Sequence, residues 1–161
     1  MSVHAFISSR LDYCKSLFTC LNKTSIDKLL LVHNAAARLL TRSRKSCQIT
    51  PILASLHWLP VHHRIHFKVL TFAFRVIHGQ ALIYISEIIH PNPTTRSLRS
   101  TDQHLLEVPW TNLVTKGDRA FEAIAPKLWN ALPLDLKTAP SEDSFKRHLK
   151  THMFRQAFGH L

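Results

Sequence analysis

The stretch from Val61 to His78 carries the strongest folding instruction in this chain. Pro60 precedes it and Gly79 follows it, and Ile65, Phe67, Val69, Leu70, Phe72, Ala73, Phe74, Val76 and Ile77 within it are all apolar. Proline is preorganised to open a helix and glycine accepts the left-handed backbone that closes one. At ~100° per residue, Arg64, Lys68, Thr71 and Arg75 fall within about 60° of one another. A helix that is apolar almost all round and basic along one narrow strip is expected to be buried apart from that strip. The rest of the chain must supply the cover.

Helical periodicity continues on both sides. Phe6, Ile7, Cys14, Leu17, Phe18 and Leu21 make a helical stripe over about 3–21. Thr24-Ser25-Ile26-Asp27 reads as a capping box for a second helix running to about Arg44. Ile26, Leu29, Leu30, His33, Ala36, Ala37 and Leu40 form its inner face, while Asn34, Arg38, Arg42 and Lys45 form an outer stripe. Pro51 suits the first turn of a short helix ending near Trp58. A further short helix is expected over 81–89, another led into by Gly117-Asp118, running through Ala120, Phe121, Ile124 and Leu128 and ending at 129–133, and a last one from an N-cap at Ser141 to about Phe158. Between them, Ser97-Leu98-Arg99 and Leu105-Leu106-Glu107-Val108 read as extended pieces. The expected fold is mainly α, a helical bundle-like domain with a small β-hairpin insertion around residues 97–116. Its parts are a strongly basic helical region over 1–90, the turn and hairpin insertion over 91–116, and C-terminal helices over 117–161. They form one compact unit or two docked parts.

Composition narrows the chemistry. Gly79, Gly117 and Gly159 are the only glycines among 161 residues, which excludes glycine-rich phosphate cradles. Cys14, Cys20 and Cys47 are odd in number and lack a C-x-x-C pair, so neither a disulfide framework nor a zinc ribbon is expected. That pattern suits reduced thiols inside a cell, nuclear or cytoplasmic. No apolar run approaches the ~20 residues of a membrane span, so no membrane partner is expected. His62 and His66 stand one helical turn apart with His63 between them, but no intervening glutamate offers a general base. No metal, cofactor or catalytic residue is expected.

Charge points elsewhere. The chain holds 21 Lys and Arg against 10 Asp and Glu, a net +11 before any of its 12 histidines takes a proton. No acid occurs between Asp27 and Glu87, whereas Lys28, Arg38, Arg42, Arg44, Lys45, Arg64, Lys68 and Arg75 all lie there. Cations at one-turn spacing can follow a phosphate backbone. The candidate nucleic-acid-binding residues are therefore Arg38, Arg42, Arg44, Lys45, Arg64, Lys68 and Arg75. Six phosphate contacts imply a slope of log affinity on log salt of about −4 to −5. Trp58, Trp110 and Trp129 are candidates for stacking on bases, although core packing is the commoner fate of tryptophan. The alternative is a solvated basic face on a helical protein-interaction module of unknown partner.

A series of residue strings then resembles one family. In order, these are Ile7-Ser8-Ser9-Arg10-Leu11-Asp12-Tyr13-Cys14, Asn34-Ala35-Ala36-Ala37-Arg38-Leu39-Leu40-Thr41 and Leu53-Ala54-Ser55-Leu56-His57-Trp58-Leu59-Pro60. Arg96-Ser97-Leu98-Arg99-Ser100, Gly117-Asp118-Arg119-Ala120-Phe121 and Ala125-Pro126-Lys127-Leu128-Trp129-Asn130-Ala131-Leu132-Pro133 follow. Together they resemble the C-terminal, thumb-distal region of reverse transcriptases from non-LTR, LINE-type retrotransposons. The resemblance implies a remnant without the palm carboxylates or the endonuclease, hence without polymerase chemistry. It also implies residual, weak and salt-dependent binding of RNA or DNA, sequence-tolerant in character. Leu82, where the family usually has proline after Gly79-Gln80-Ala81, and His66, where an acid is common, depart from the pattern. Such drift fits an inactive copy, and a translated fragment with no selected function is a further alternative.

Overall fold

A computed structural model of the chain describes residues 23–81, 87–92, 104–110 and 120–159. Among these residues the architecture is mainly helical: α1 (Lys23–Thr41), α2 (Ile49–Ser55), α3 (Val61–Ile77), α4 (Phe121–Asn130), α5 (Leu134–Lys137) and α6 (Glu142–Phe158). The helix expected over 3–21 lies outside the described residues. So does the middle of the one expected over 81–89, of which the described residues, 81 and 87–89, are not helical. The chain divides into two compact units, Met1–Ile65 with Thr151–Leu161, and His66–Lys150.

In the first unit, α1 and α2 close over a core of Ala36, Ala37, Ile52, Leu53, Trp58 and Phe158. Small residues on α1 let the aromatic groups approach its backbone. His33 is fully buried and its ring lies 5.2 Å from that of Trp58. Phe154 from the end of α6 packs on His57 at 5.6 Å and on Phe158 at 4.7 Å. Pro51 stands in the first turn of α2, where its missing N–H costs nothing.

Three helices end in the same way, only one of them with glycine. After α3, Gly79 adopts φ 66°, Gly79 N–H bonds Val76 C=O, and Gln80 N–H bonds Arg75 C=O. That is the Schellman closure, with the C-terminal role expected of Gly79. After α1, Arg42 takes the left-handed position at φ 51°, and Ser43 N–H reaches back to Arg38 C=O at 3.0 Å. After α2, His57 does so at φ 53°, with Trp58 N–H on Leu53 C=O at 2.9 Å. The second helix therefore stops at Thr41 and not near Arg44, because the left-handed Arg42 turns the chain off the axis. Its other end is also corrected, since Thr24 and Ser25 lie within α1 and do not cap it.

The second unit is built on aromatic stacking. Phe74 of α3 stacks on Phe145 of α6 at 4.5 Å, and Trp129 of α4 lies 5.9 Å from Phe145. All three are essentially buried. The start of α6 is as expected: Ser141 Oγ accepts Ser144 N–H at 3.2 Å, with Glu142 and Asp143 in the positive first turn.

The expected hairpin around 97–116 is not formed in the part that is described. Residues 97–103 and 111–116 lie outside the description, and Leu105–Val108 belong to no strand. Leu106 instead makes one isolated antiparallel bridge with Pro91, through Asn92 N–H to Leu105 C=O and Glu107 N–H to His90 C=O. Its opposite edge is occupied by a side chain. Asn130 Oδ1 accepts Leu106 N–H and Asn130 Nδ2 donates to Leu106 C=O, each at 2.9 Å. A carboxamide thus supplies the donor and acceptor that a neighbouring strand would have offered. Trp129 Nε1–H donates to His104 C=O nearby, fastening the same segment to α4.

Candidate nucleic-acid interface

The candidate cations fall in two settings. The first is the connection from α1 to α2. Arg38 is on the last turn of α1, Arg42 is the left-handed residue beyond it, and Arg44 and Lys45 follow in the turn. The outer stripe expected from spacing is therefore helical only as far as Arg38. Residues 44–47 form a β-turn closed by Cys47 N–H on Arg44 C=O at 3.1 Å, which puts Lys45 and Ser46 at its two corners. Arg42, Arg44, Lys45, Ser46 and Cys47 are all exposed.

Arg38 has a different task. Its Nη2 donates to Cys47 C=O at 3.2 Å, tying the far end of the turn to the helix. Thr41 Oγ1 donates to Ala37 C=O at 3.0 Å, so its 2.8 Å contact with Ser43 Oγ must be accepted from the Ser43 hydroxyl. The turn is shaped from within by Arg38, Thr41 and Ser43. Its charge is offered outward by Arg42, Arg44 and Lys45. It also sits at the C-terminal, negative end of α1, which favours cations there.

The second setting is α3. The strip of Arg64, Lys68, Thr71 and Arg75 is less open than its spacing suggests. Thr71 is buried and donates to Phe67 C=O at 2.8 Å. Arg64 lies 3.4 Å from His33 Nε2. Since a guanidinium only donates, His33 Nε2 is the acceptor and the proton sits on Nδ1. Burial lowers the Arg64 pKa from its ordinary value. Lys68 and Arg75 both approach the face of Phe72, at 5.3 and 6.0 Å.

Arg75 is also half of an ion pair. Its Nε and Nη2 reach Glu142 Oε1 at 2.9 and 2.7 Å, and Lys146 Nζ reaches the same oxygen at 2.6 Å. Hydrogen bonds from Arg75 and then Lys146 hold the Glu142 carboxyl below its usual range. Nothing in the sequence announces this pairing, because 67 positions separate its partners.

The tryptophans divide cleanly. Trp58 and Trp129 are core residues, whereas Trp110 is 91% exposed. Trp110 is therefore the member of the trio placed to offer an open π-face. The histidines at the start of α3 show ring contact between His62 and His63 at 4.2 Å, and burial lowers the His62 pKa. Among the described residues no group of three His, Cys, Asp or Glu is placed to hold a metal ion. Among them, too, no helix is long and apolar enough to cross a membrane. No family model, no curated protein and no solved structure matches this chain.

Proposed function

We propose that this chain is the thumb-distal, C-terminal part of a LINE-type reverse transcriptase and that it acts as a sequence-tolerant RNA- or DNA-binding module without polymerase chemistry. The observation that carries the binding reading is the exposed turn with Arg42, Arg44 and Lys45 at the negative end of α1. Three cations on a turn clamped by Arg38 can meet consecutive phosphates without reordering the backbone, which limits the entropic cost of binding. The ordered strings quoted above support the family reading. Exposed Trp110 supports a preference for single strands, whose unstacked bases can lie on an aromatic face.

Arg64 and Arg75 already have partners within the fold, so the contacts drawn from the candidates are Arg42, Arg44, Lys45 and Lys68. Four contacts give a salt slope of about −3 to −4, shallower than the value expected from sequence spacing. The test is a titration of single-stranded RNA, single-stranded DNA and duplex DNA by fluorescence anisotropy at several salt concentrations. Binding with that slope and little sequence preference supports the reading; affinity below the non-specific range at low salt refutes it.

A second reading has its own observation. Leu31, Val32 and Leu39 are 70, 55 and 67% exposed on α1 and recur at helical spacing. An apolar face of that kind suits a protein-interaction module, whose partner would stay bound at high salt.

A further inference from the structure

We infer that Ser46 is a phosphorylation site for a serine/threonine kinase that selects arginine and lysine on the N-terminal side of its target, and that the phosphate weakens the turn's grip on nucleic acid. The second half of this inference rests on the binding reading above; the first half does not.

Three observations single out Ser46 among the hydroxyls near these cations. First, it occupies a corner of the β-turn 44–47 and is exposed, so its Oγ is presented to solvent. Ser43 is half-buried and its hydroxyl is given to Thr41 Oγ1. Thr41 in turn donates to Ala37 C=O. Second, Lys45, Arg44 and Arg42 precede Ser46 at one, two and four positions, all exposed. Cations there match the acidic subsites by which a basic-directed kinase grips the segment before its target. Third, the segment lies between helices, where the chain can be drawn into a kinase cleft at the loss of the Cys47 N–H bond to Arg44 C=O and the Arg38 bond to Cys47 C=O, with no helical ladder opened. Thr151 shows the contrast. Arg147 and Lys150 precede it too, but it lies inside α6, whose ladder would have to open first.

The chemistry needs a nucleoside triphosphate as phosphoryl donor. The Ser46 Oγ–P bond forms, the bond from the γ-phosphorus to the β–γ bridging oxygen breaks, and nucleoside diphosphate leaves with that electron pair. The hydroxyl proton passes to the kinase's base. The product carries about −1.5 to −2 at neutral pH beside three cations, which cancels most of the local positive charge. In counterion terms, about two phosphate contacts are lost, and the salt slope falls by about 1.5 to 2.

The test incubates the full chain with Mg-ATP and the catalytic domain of a basic-directed kinase, then reads intact mass and maps the modified peptide. Wild type and S43A are expected to take one phosphate on Ser46, and S46A at least tenfold less. The phosphorylated chain is expected to show the shallower slope with single-stranded RNA. Absence of phosphate from Ser46 while a control peptide is fully modified overturns the inference, as does preferential modification of Ser43 or Thr151. Phosphate on Ser46 with an unchanged slope, in a chain whose R42Q/R44Q/K45Q variant loses slope, overturns the switch. If the unmodified chain binds no nucleic acid, the proposed function fails, while the mass result still decides the site.

Discussion

Two groups of cations drawn from the same acid-free stretch meet opposite fates. After α1, Arg42, Arg44 and Lys45 stand exposed on a turn that other residues hold in shape. Along α3, Arg75 is drawn to Glu142 from another helix and Arg64 lies half-buried against His33. Both groups look alike as sequence. The difference teaches that a basic strip reports a partner only where the fold leaves its charges unanswered. A cation answered within the chain contributes to stability, and it must give up that partner to reach a phosphate.

The largest effect expected from this contrast is on binding. Replacing Arg42, Arg44 and Lys45 together by glutamine should reduce the salt slope by about 2 to 3. The equivalent change of Arg64, Lys68 and Arg75 should reduce it by about 1 while lowering stability. Parallel anisotropy and urea titrations read both, and equal slopes for the two variants would erase the distinction drawn here.

Next in size is Trp110→Ala, expected to weaken single-stranded RNA by about 1 to 3 kcal/mol and duplex DNA very little, with unchanged urea stability. Because Trp58 and Trp129 are buried, quenching of tryptophan fluorescence on binding should vanish in this variant. Persisting quenching would place the bases elsewhere.

The α3 side of the comparison is sharpened by pH. Glu142 has a folded pKa below its ordinary 4.5, so its contribution is complete above that value. It is lost as pH falls through the lowered folded value, where protonation releases Arg75 and Lys146. Glu142→Gln should therefore cost stability at pH 7, about 1 kcal/mol for a charge-assisted pair discounted for the solvent that reaches Arg75. It should cost progressively less towards pH 3. His62, with its pKa lowered by burial, destabilises over a different window, just below 6.5. Urea midpoints across pH 3 to 8 for E142Q and H62Q separate the two, and a pH-independent loss in E142Q would mean the ion pair is not what Glu142 contributes.

The smallest effect comes from Arg42→Gly. Relief of a left-handed non-glycine residue should stabilise the chain by about 1 kcal/mol, while one cation is lost from the turn and the slope falls by about 1. His57→Gly should give the stabilisation without the binding loss. Thermal unfolding beside the RNA titration tests the pair, and a slope change in H57G would undo the assignment.

What could be read along the chain and what could not follows one physical division. Periodicity, proline and glycine act over one or two helical turns, so α3 between Pro60 and Gly79, and α6 from Ser141 to Phe158, were legible from residue order. The helical class followed from them. In the described part of the expected hairpin, the edge at Leu106 is satisfied by a side chain and not by a strand, since Asn130 supplies both donor and acceptor from 24 residues away. The end of α1 falls short of Arg44 because Arg42 takes the left-handed position that closes it, one that arginine rarely adopts. At the candidate site, the sequence by itself determined which residues are cationic and that acids are missing around them. Only the tertiary structure decided which cations face water and which face Glu142 or His33, and which tryptophan stays outside. Charge belongs to a residue, but its availability depends on what packing brings within hydrogen-bond reach, across separations that no local pattern records.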